Sequence, residues 1–239
     1  MSSIQTGKWQ KYIFLRQDYS LVPYLPKTAV LSERSLANLL RKYQKVVLKP
    51  NDGARGRGIM VAQVKSSGGY ELQSLWKKRT FTNCSRLFRY LKHTIRINRY
   101  ILQQCVPLAK VNDRLFDLRV MVQRVKSKRW KITGGLAKIA YRGMAVTNPE
   151  EYVRPMNRVL RDSGFSYLLG KINAVCIRAS DQLSKKYPWI TIIGFDIGVD
   201  VNGQVWIIEP NFHPAIYWFK QLPERKTYNR IISYKSKYG

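Results

Sequence analysis

Acidic residues are scarce: 14 Asp and Glu stand against 43 Lys and Arg in 239 residues, giving a formal net charge of +29. An excess of that size points to a polyanionic partner: nucleic acid, an anionic surface polymer or an acidic peptide. Between Glu71 and Asp113 there is no acidic residue, whereas Arg89, Lys92, Arg96 and Arg99 recur at three- and four-residue steps. They would line one face of a helix that ran through all four. Cysteine is nearly absent as well. Cys84, Cys105 and Cys176 are odd in number and lack CxxC spacing, which speaks against a disulfide framework and against a zinc site. No zinc-finger spacing, helix-turn-helix pattern or aromatic RNP-like strand accompanies the basic charge. No run approaches the ~18 uncharged apolar residues of a membrane span. Lys8, Lys11, Arg16 and Asp18 leave no room between them for the apolar core of a signal peptide. A cytoplasmic location is therefore expected, with peripheral attachment to an anionic surface left open by charge alone. No internal repeat or low-complexity linker is visible.

What is present is enough for a full core: 45% of the residues are hydrophobic, and the length suits one large domain or two lobes. Residues 1–44 read as helix and turn, with prolines at 23 and 26, packing on the rest. Residues 45–106 read as strands and a helix forming one lobe, and 107–239 as a larger one. The larger lobe contains strands near 115–125 and 130–140, a long helix near 166–186 ending before Pro188, and two late apolar strands. Helices and strands mix without a strict βαβ repeat, so the class is α+β.

Two segments carry chemistry. The first is GFDIGVD followed by WIIEPNFHP. Asp196 and Glu209 sit inside apolar, β-prone runs, and burying an ionised carboxylate without a partner costs several kcal/mol, by rough estimate. Two carboxylates and the Asn211 amide therefore argue for a shared counter-charge. Mg²⁺ fits best, because it prefers hard oxygen ligands and leaves its other positions to water and phosphates. Pro210 and Pro214 fix the backbone around these ligands. His213 beside hard oxygens reads as a packing or capping residue, and His93 as part of the amphipathic pattern SRLFRYLKH, whose apolar side is Leu87, Phe88 and Leu91.

The second segment is KVVLKPNDGARGRGIMVAQV. A strand delivers Lys49 into a loop where Gly53, Gly56 and Gly58 permit tight turns, and Arg55 and Arg57 add positive charge, so a polyphosphate is the natural guest. A Walker loop needs Lys then Ser or Thr after its last glycine, whereas Ile59 and Met60 follow here. A Rossmann fingerprint requires a helix after the glycines, whereas IMVAQV reads as a strand. The loop is therefore a hairpin flap. Protein kinases take their lysine from a later strand, while Lys49 precedes the glycines.

That order resembles the ATP-grasp superfamily, and most closely its YheC/YheD group of spore-coat-associated proteins. KWQKY, LPKT, VVLKPNDGARGRGI, YILQQCVPLAK, FDLRVMVQR, WKITGGLAKIA and the closing GFDIGVD with IIEPNFHP occur in the group's order over nearly the whole chain. The resemblance implies two α+β lobes enclosing ATP, with Mg²⁺ on the carboxylates Asp196 and Glu209 and on Asn211. It implies a carboxylate–amine or carboxylate–thiol ligase acting through an acyl phosphate on an unknown carboxylate and nucleophile, in association with the spore coat or forespore. Lys49 matches the lysine on the α- and β-phosphates, the stretch from Gly53 to Gly58 the cover over them, and Lys8 an earlier family lysine. Gln103, Gln104, Cys105 and Val106 resemble the hinge whose backbone pairs with adenine, with amides where an acidic side chain often stands. Asp117 and Arg119 alternate with Phe116, Leu118 and Val120 and so share a strand face, which the resemblance implies is aimed at ribose or phosphates, and Lys138 resembles a phosphate-binding lysine. Lys49, Arg119 and Lys138 are the expected catalytic cations. The fold is expected to lack a full N-terminal domain preceding the ATP-grasp core, common in such enzymes, since the sequence leaves little room for it.

Two other functional classes stay open at the level of sequence. Nucleic-acid binding has composition but no motif, and most of the six Trp and fifteen Tyr sit in apolar runs that core packing explains. A basic, non-catalytic coat component that retains its nucleotide site is the other.

Overall fold

The computed structural model describes residues 7–53, 56–75, 77–125, 129–144, 146–147 and 150–238. The chain separates into two compact units, one comprising residues 1–12 and 26–106 and the other 13–25 and 107–239. The division falls within helix α1 (Lys8–Leu15). Residues 13–25, which the sequence attached to an N-terminal segment, cluster with the C-terminal unit.

The first unit is a six-stranded antiparallel sheet. Its strands are β1 (Thr28–Val30), β2 (Lys45–Pro50), β3 (Met60–Val64), β4 (Tyr70–Ser74), β5 (Lys77–Phe81) and β6 (Tyr100–Gln104), in the order β1-β6-β2-β3-β4-β5. The hairpin expected around the glycines is β2–β3, with Val47 opposite Val61. Two helices lie on one face. Helix α2 (Glu33–Tyr43) starts at a capping box in which the Ser32 hydroxyl accepts the Ser35 N–H, and it ends at Gln44 in the left-handed region. Its Leu36, Leu39 and Leu40 pack on Val46, Leu48 and Leu102 of the sheet, and so do Leu87 and Leu91 of helix α3 (Cys84–Thr94). Along a strand alternate residues share a face, so Lys49 and Gln103 stand on the face opposite this helical layer. Strand β1 replaces the helix-and-turn structure expected near residue 28. It is short, and its register against β6, Thr28 opposite Gln103, comes from tertiary pairing rather than local propensity.

The basic helix face expected from Arg89 to Arg99 is cut in two. Helix α3 ends at Thr94, and Ile95 takes an extended conformation. Arg99 lies in a 3₁₀ turn (Ile97–Arg99) that feeds β6. Leu87 and Leu91 supply buried anchors as far as residue 91, and the next apolar side chain, Ile95, is spent on the turn into the sheet.

The second unit is built on strands β7 (Lys110–Val111), β8 (Arg114–Arg124), β9 (Trp130–Ala140), β10 (Glu150–Pro155), β11 (Ile192–Val199) and β12 (Val205–Asn211). All pair antiparallel in the order β10-β9-β8-β11-β12, with β7 attached to β8. Helices α4 (Met156–Asp162), α5 (Leu169–Lys186) and α6 (Lys226–Tyr238) complete it. Ile172, Val175, Cys176, Ala179 and Leu183 bury one stripe of α5 at helical spacing, and burial pushes the Cys176 thiol well up, so it stays a neutral core residue. No helix among the described residues is long and apolar enough to cross a membrane.

Candidate functional site

In the second unit the registers of four strands assemble a charged face. The β11–β12 turn is fixed by Asp200, whose Oδ1 accepts the N–H groups of Asn202 at 2.9 Å and Gln204 at 3.0 Å, while its Oδ2 accepts the Trp206 indole N–H at 2.9 Å. That turn sets the register, which places Asp196 directly opposite Glu209, with Asn211 two residues further along opposite Gly194. On its other side Asp196 faces Arg119 of β8, and Asp117 faces Lys138 of β9. Asp117, Arg119, Lys138, Asp196, Glu209 and Asn211 therefore share one side of the sheet.

Asp117, Arg119, Lys138 and Asp196 are buried, and Lys138 is 0% exposed. The Asp196 Oδ1 accepts from Arg119 Nε at 2.9 Å and from Lys138 Nζ at 3.0 Å. Its Oδ2 accepts from Arg119 Nη2 at 3.1 Å and from Asn211 Nδ2 at 3.1 Å. Lys138 also lies 3.2 Å from Asp117 Oδ1, an ion pair rather than a well-angled hydrogen bond. The other Asp117 oxygen accepts the Thr147 hydroxyl at 2.6 Å. Burial by itself would neutralise these groups, and the partners decide the outcome. For Asp196, burial raises the carboxyl, but Arg119 and Lys138 outweigh it and hold it below the usual range. Asp117 is pushed up, because burial exceeds the help it receives from Lys138. Burial lowers Lys138, yet Asp117 and Asp196 together raise it, so it stays charged.

The counter-charge to Asp196 is thus the protein's own, Arg119 and Lys138, and not a cation that its burial alone would demand. The oxygen donors fit Mg²⁺ on other grounds. Asp196 and Glu209 occupy directly paired positions, Glu209 and Asn211 are half-buried, and the Asn211 amide donates through its nitrogen, leaving its oxygen to act as a ligand. No group of three or more His, Cys, Asp or Glu that could hold a metal ion occurs among the described residues, so the donor set is two carboxylates and one amide. His213 is exposed and stacks near Trp189, with ring centroids 6.5 Å apart.

Sequence reasoning missed two members of this face. Trp218 covers the cations, its ring centroid 5.0 Å from the Arg119 guanidinium and 5.6 Å from Lys138 Nζ. Thr147 holds Asp117. Neither stands in a motif. Gly194 also has a role: a Cβ there would come within 2.5 Å of Pro214 and 3.2 Å of Arg119 Cδ, so only glycine lets Arg119 lie across the strand.

In the first unit Lys49 is buried and donates to Gln103 Oε1 at 2.6 Å. Gln103 Nε2 donates to the Thr28 hydroxyl at 3.3 Å, which donates to Pro26 O at 2.9 Å. This relay gives the threonine of LPKT a positioning role that the motif alone did not reveal. At the glycine loop Gly56 and Gly58 take positive φ of 68° and 75°, the left-handed region that favours glycine. Lys8 Nζ donates to Gly53 O at 2.5 Å, and the Trp9 N–H donates to Asn51 Oδ1 at 2.8 Å. The start of α1 is therefore tied to the loop. Arg57 is exposed, and Arg55 lies outside the described residues. At the expected hinge the Gln104 N–H donates to Lys27 O at 2.8 Å and the Cys105 N–H to Lys45 O at 3.2 Å, so both are committed to neighbouring chain. Val106 follows, half-buried. Burial raises the Cys105 thiol despite the nearby charges of Lys45 and Lys49.

Comparison with known proteins bears on the whole arrangement. The endospore coat-associated protein YheD of Bacillus subtilis is 28% identical over 248 residues, covering 93% of this chain and 53% of that protein. YheC of the same organism is 22% identical over 220 residues, covering 87% of this chain and 60% of that protein. The chain thus spans little more than half the length of these relatives. Among solved structures, the ATP-grasp ligase PsnB complexed with a precursor variant, Mg and ADP superposes with a TM-score of 0.55 at 12% identity, over 98% of this chain and 60% of that one. That likeness gives the fold as ATP-grasp. The family model described as YheC/D-like ATP-grasp matches residues 2–239, and the chain belongs to that family.

Proposed function

We propose that this chain binds Mg·ATP and phosphorylates a carboxylate, giving an acyl phosphate that an amine or thiol nucleophile attacks. The observation that carries the proposal is the face on which two buried cations, Arg119 and Lys138, lie beside the oxygen side chains of Asp196, Glu209 and Asn211. Cations fixed by carboxylates before any phosphate arrives cost no reorganisation when charge develops on a transferring phosphoryl group. Mg²⁺, held by Asp196, Glu209 and the Asn211 carbonyl, would add charge neutralisation on the phosphate oxygens.

The remaining residues bind and orient. Lys49, exchanging Gln103 for phosphate oxygens, contacts the α- and β-phosphates, and the loop from Gly53 to Gly58 covers them with Arg55 and Arg57 adding charge. Lys8 anchors the loop through the Gly53 carbonyl. Because the N–H groups of Gln104 and Cys105 are committed, the backbone of Val106 is the group that reads the adenine edge. Asp117 acts on Lys138, holding its ammonium toward Asp196. PsnB, an ATP-grasp ligase solved with a precursor peptide, supports a peptide carboxylate as the substrate class, and the net charge of +29 supports an acidic one.

Calorimetric titration with ADP and ATP, with and without Mg²⁺, tests the reading. Saturable, metal-dependent binding in the wild type that disappears in Lys49→Ala is the expected result, and absence of binding in the wild type overturns it. The names of YheD and YheC favour a second reading, a spore-coat component that binds nucleotide without turnover. Phosphate release in the presence of acidic peptides separates the two.

A further inference from the structure

We infer that the second unit carries a separate docking site for an extended acidic peptide, at the stretch of the β9 edge that β10 leaves unpaired. Strand β9 runs from Trp130 to Ala140, but β10 pairs only with Leu136–Ala140. At Pro155 the chain leaves the sheet and Met156 opens α4, so among the described residues no strand lies along the outer edge of Ile132–Gly135. Helices wall this edge on both faces. A Cβ on Gly135 would meet Met156 Cε at 2.5 Å, and one on Gly134 would meet Ile231 Cδ1 of α6 at 2.7 Å. The result is a cavity of about 590 Å³ with the strand edge as its floor, within the size range of ligand sites.

Its walls are cationic. Arg158 and Arg161 enter from α4 and Arg230 from α6, against one acid, Glu224. The side chains of Arg158 and Arg161 make no ion pair with another described residue. Arg230 is anchored by donating its Nε to the Thr133 carbonyl at 2.6 Å, inside the gap. A guanidinium has five N–H donors, so four remain for a ligand, and the planar fork matches carboxylates. Arginines alone would accept any small anion. Beyond the Thr133 carbonyl that Arg230 takes, the unpaired backbone of Ile132, Gly134 and Gly135 lines the cavity and offers donors and acceptors that an extended peptide can satisfy by strand addition while its acidic side chains reach the arginines. None of the six residues of the charged face lines this cavity, and the inference stands independently of nucleotide binding.

The test uses fluorescein-labelled hexaglutamate and fluorescence anisotropy, without nucleotide, at about 0.15 M salt where diffuse attraction is screened. Arg158→Glu/Arg161→Glu removes two surface cations from the cavity wall. Arg89→Glu/Lys92→Glu makes the same charge change on the exposed face of α3. Binding about tenfold weaker in the first variant and within about twofold of wild type in the second is expected, since charge-assisted hydrogen bonds in a formed site exceed screened surface attraction. A hexaglutamate N-methylated at alternate residues should lose about the same factor, because strand addition needs those N–H groups. Equal loss in both variants overturns the site in favour of net charge. Undiminished binding of the N-methylated peptide, or its displacement by free glutamate as readily as by peptide, overturns the extended-strand mode.

Discussion

Replacing Lys138 by Met should destabilise the protein by about 3–5 kcal/mol, the cost of removing one partner from a buried ionic cluster. The ammonium is fully buried between Asp196, at 3.0 Å, and Asp117, at 3.2 Å. Two cations and two carboxylates make that cluster neutral. Without Lys138 it carries an excess negative charge, among the described residues Asp117 retains only the Thr147 hydroxyl, and Asp196 leans on Arg119 and Asn211. Methionine fills the volume of the lysine stem, so no cavity term is added and the loss is electrostatic. For a chain of this size, the fall in Tm should be roughly 10 °C. Thermal and urea denaturation read it, with Asp117→Asn and the double variant completing the cycle. The double variant should recover part of the sum of the single losses, because it removes the charge that Lys138→Met strands. A loss below about 1 kcal/mol for Lys138→Met, or strict additivity in the cycle, would refute the reasoning that the carboxylates depend on this lysine.

Three further outcomes are expected. Glu209→Gln should leave the fold intact, since the residue is half-buried, and should abolish the Mg²⁺ dependence of ADP binding in calorimetry; unchanged dependence removes Glu209 from the site. Gly194→Ala should cost about 1–3 kcal/mol by overpacking, because its Cβ would meet Pro214 at 2.5 Å and Arg119 at 3.2 Å; urea denaturation measures the loss, and a stabilised variant counts against the packing described. Asp18 is held at about 2 by a hydrogen bond from Arg178, so its contribution is present above the unfolded value near 3.9 and fades as pH falls toward that depressed value. Because the Arg178 side chain is 59% exposed, that contribution is below about 1 kcal/mol. The stability gap between wild type and Asp18→Asn should therefore be constant near neutral pH and shrink on acidification, and a gap that widens contradicts the pairing.

How far sequence reaches depends on which residues speak through local pattern. The β2–β3 hairpin was legible because Lys49, the glycines and IMVAQV impose turn and strand chemistry within twenty residues. The β8 and β9 strands and α5 were legible from their apolar periodicity. The basic face of α3 was not, because charge spacing says nothing about where the buried anchors Leu87 and Leu91 stop. Strand β1 was not either, since its three residues form a strand only against β6.

The charged face shows the same division at the level of single groups. Alternation along FDLRV put Asp117 and Arg119 on one side of a strand, and the apolar runs put Asp196 and Glu209 inside two others. Neither pattern states which strands are neighbours. Only the pairing of β11 with both β8 and β12 makes Arg119 the partner of Asp196, and that pairing changes the inference drawn from burial. A carboxylate alone in an apolar strand calls for a cation from outside. A carboxylate already gripped by Arg119, Lys138 and Asn211 is stable as it stands, so an arriving cation must share it with those donors or displace them. Glu209, half-buried and directly opposite Asp196, is then the ligand whose loss should weaken metal binding at the smaller cost in folding. Asp196→Asn should weaken metal binding too but also destabilise the fold, since it strands two buried cations at a cost of about 3–5 kcal/mol. Comparing the two variants by denaturation and by Mg²⁺ titration therefore separates a ligand whose loss spares the fold from a ligand that the fold also needs.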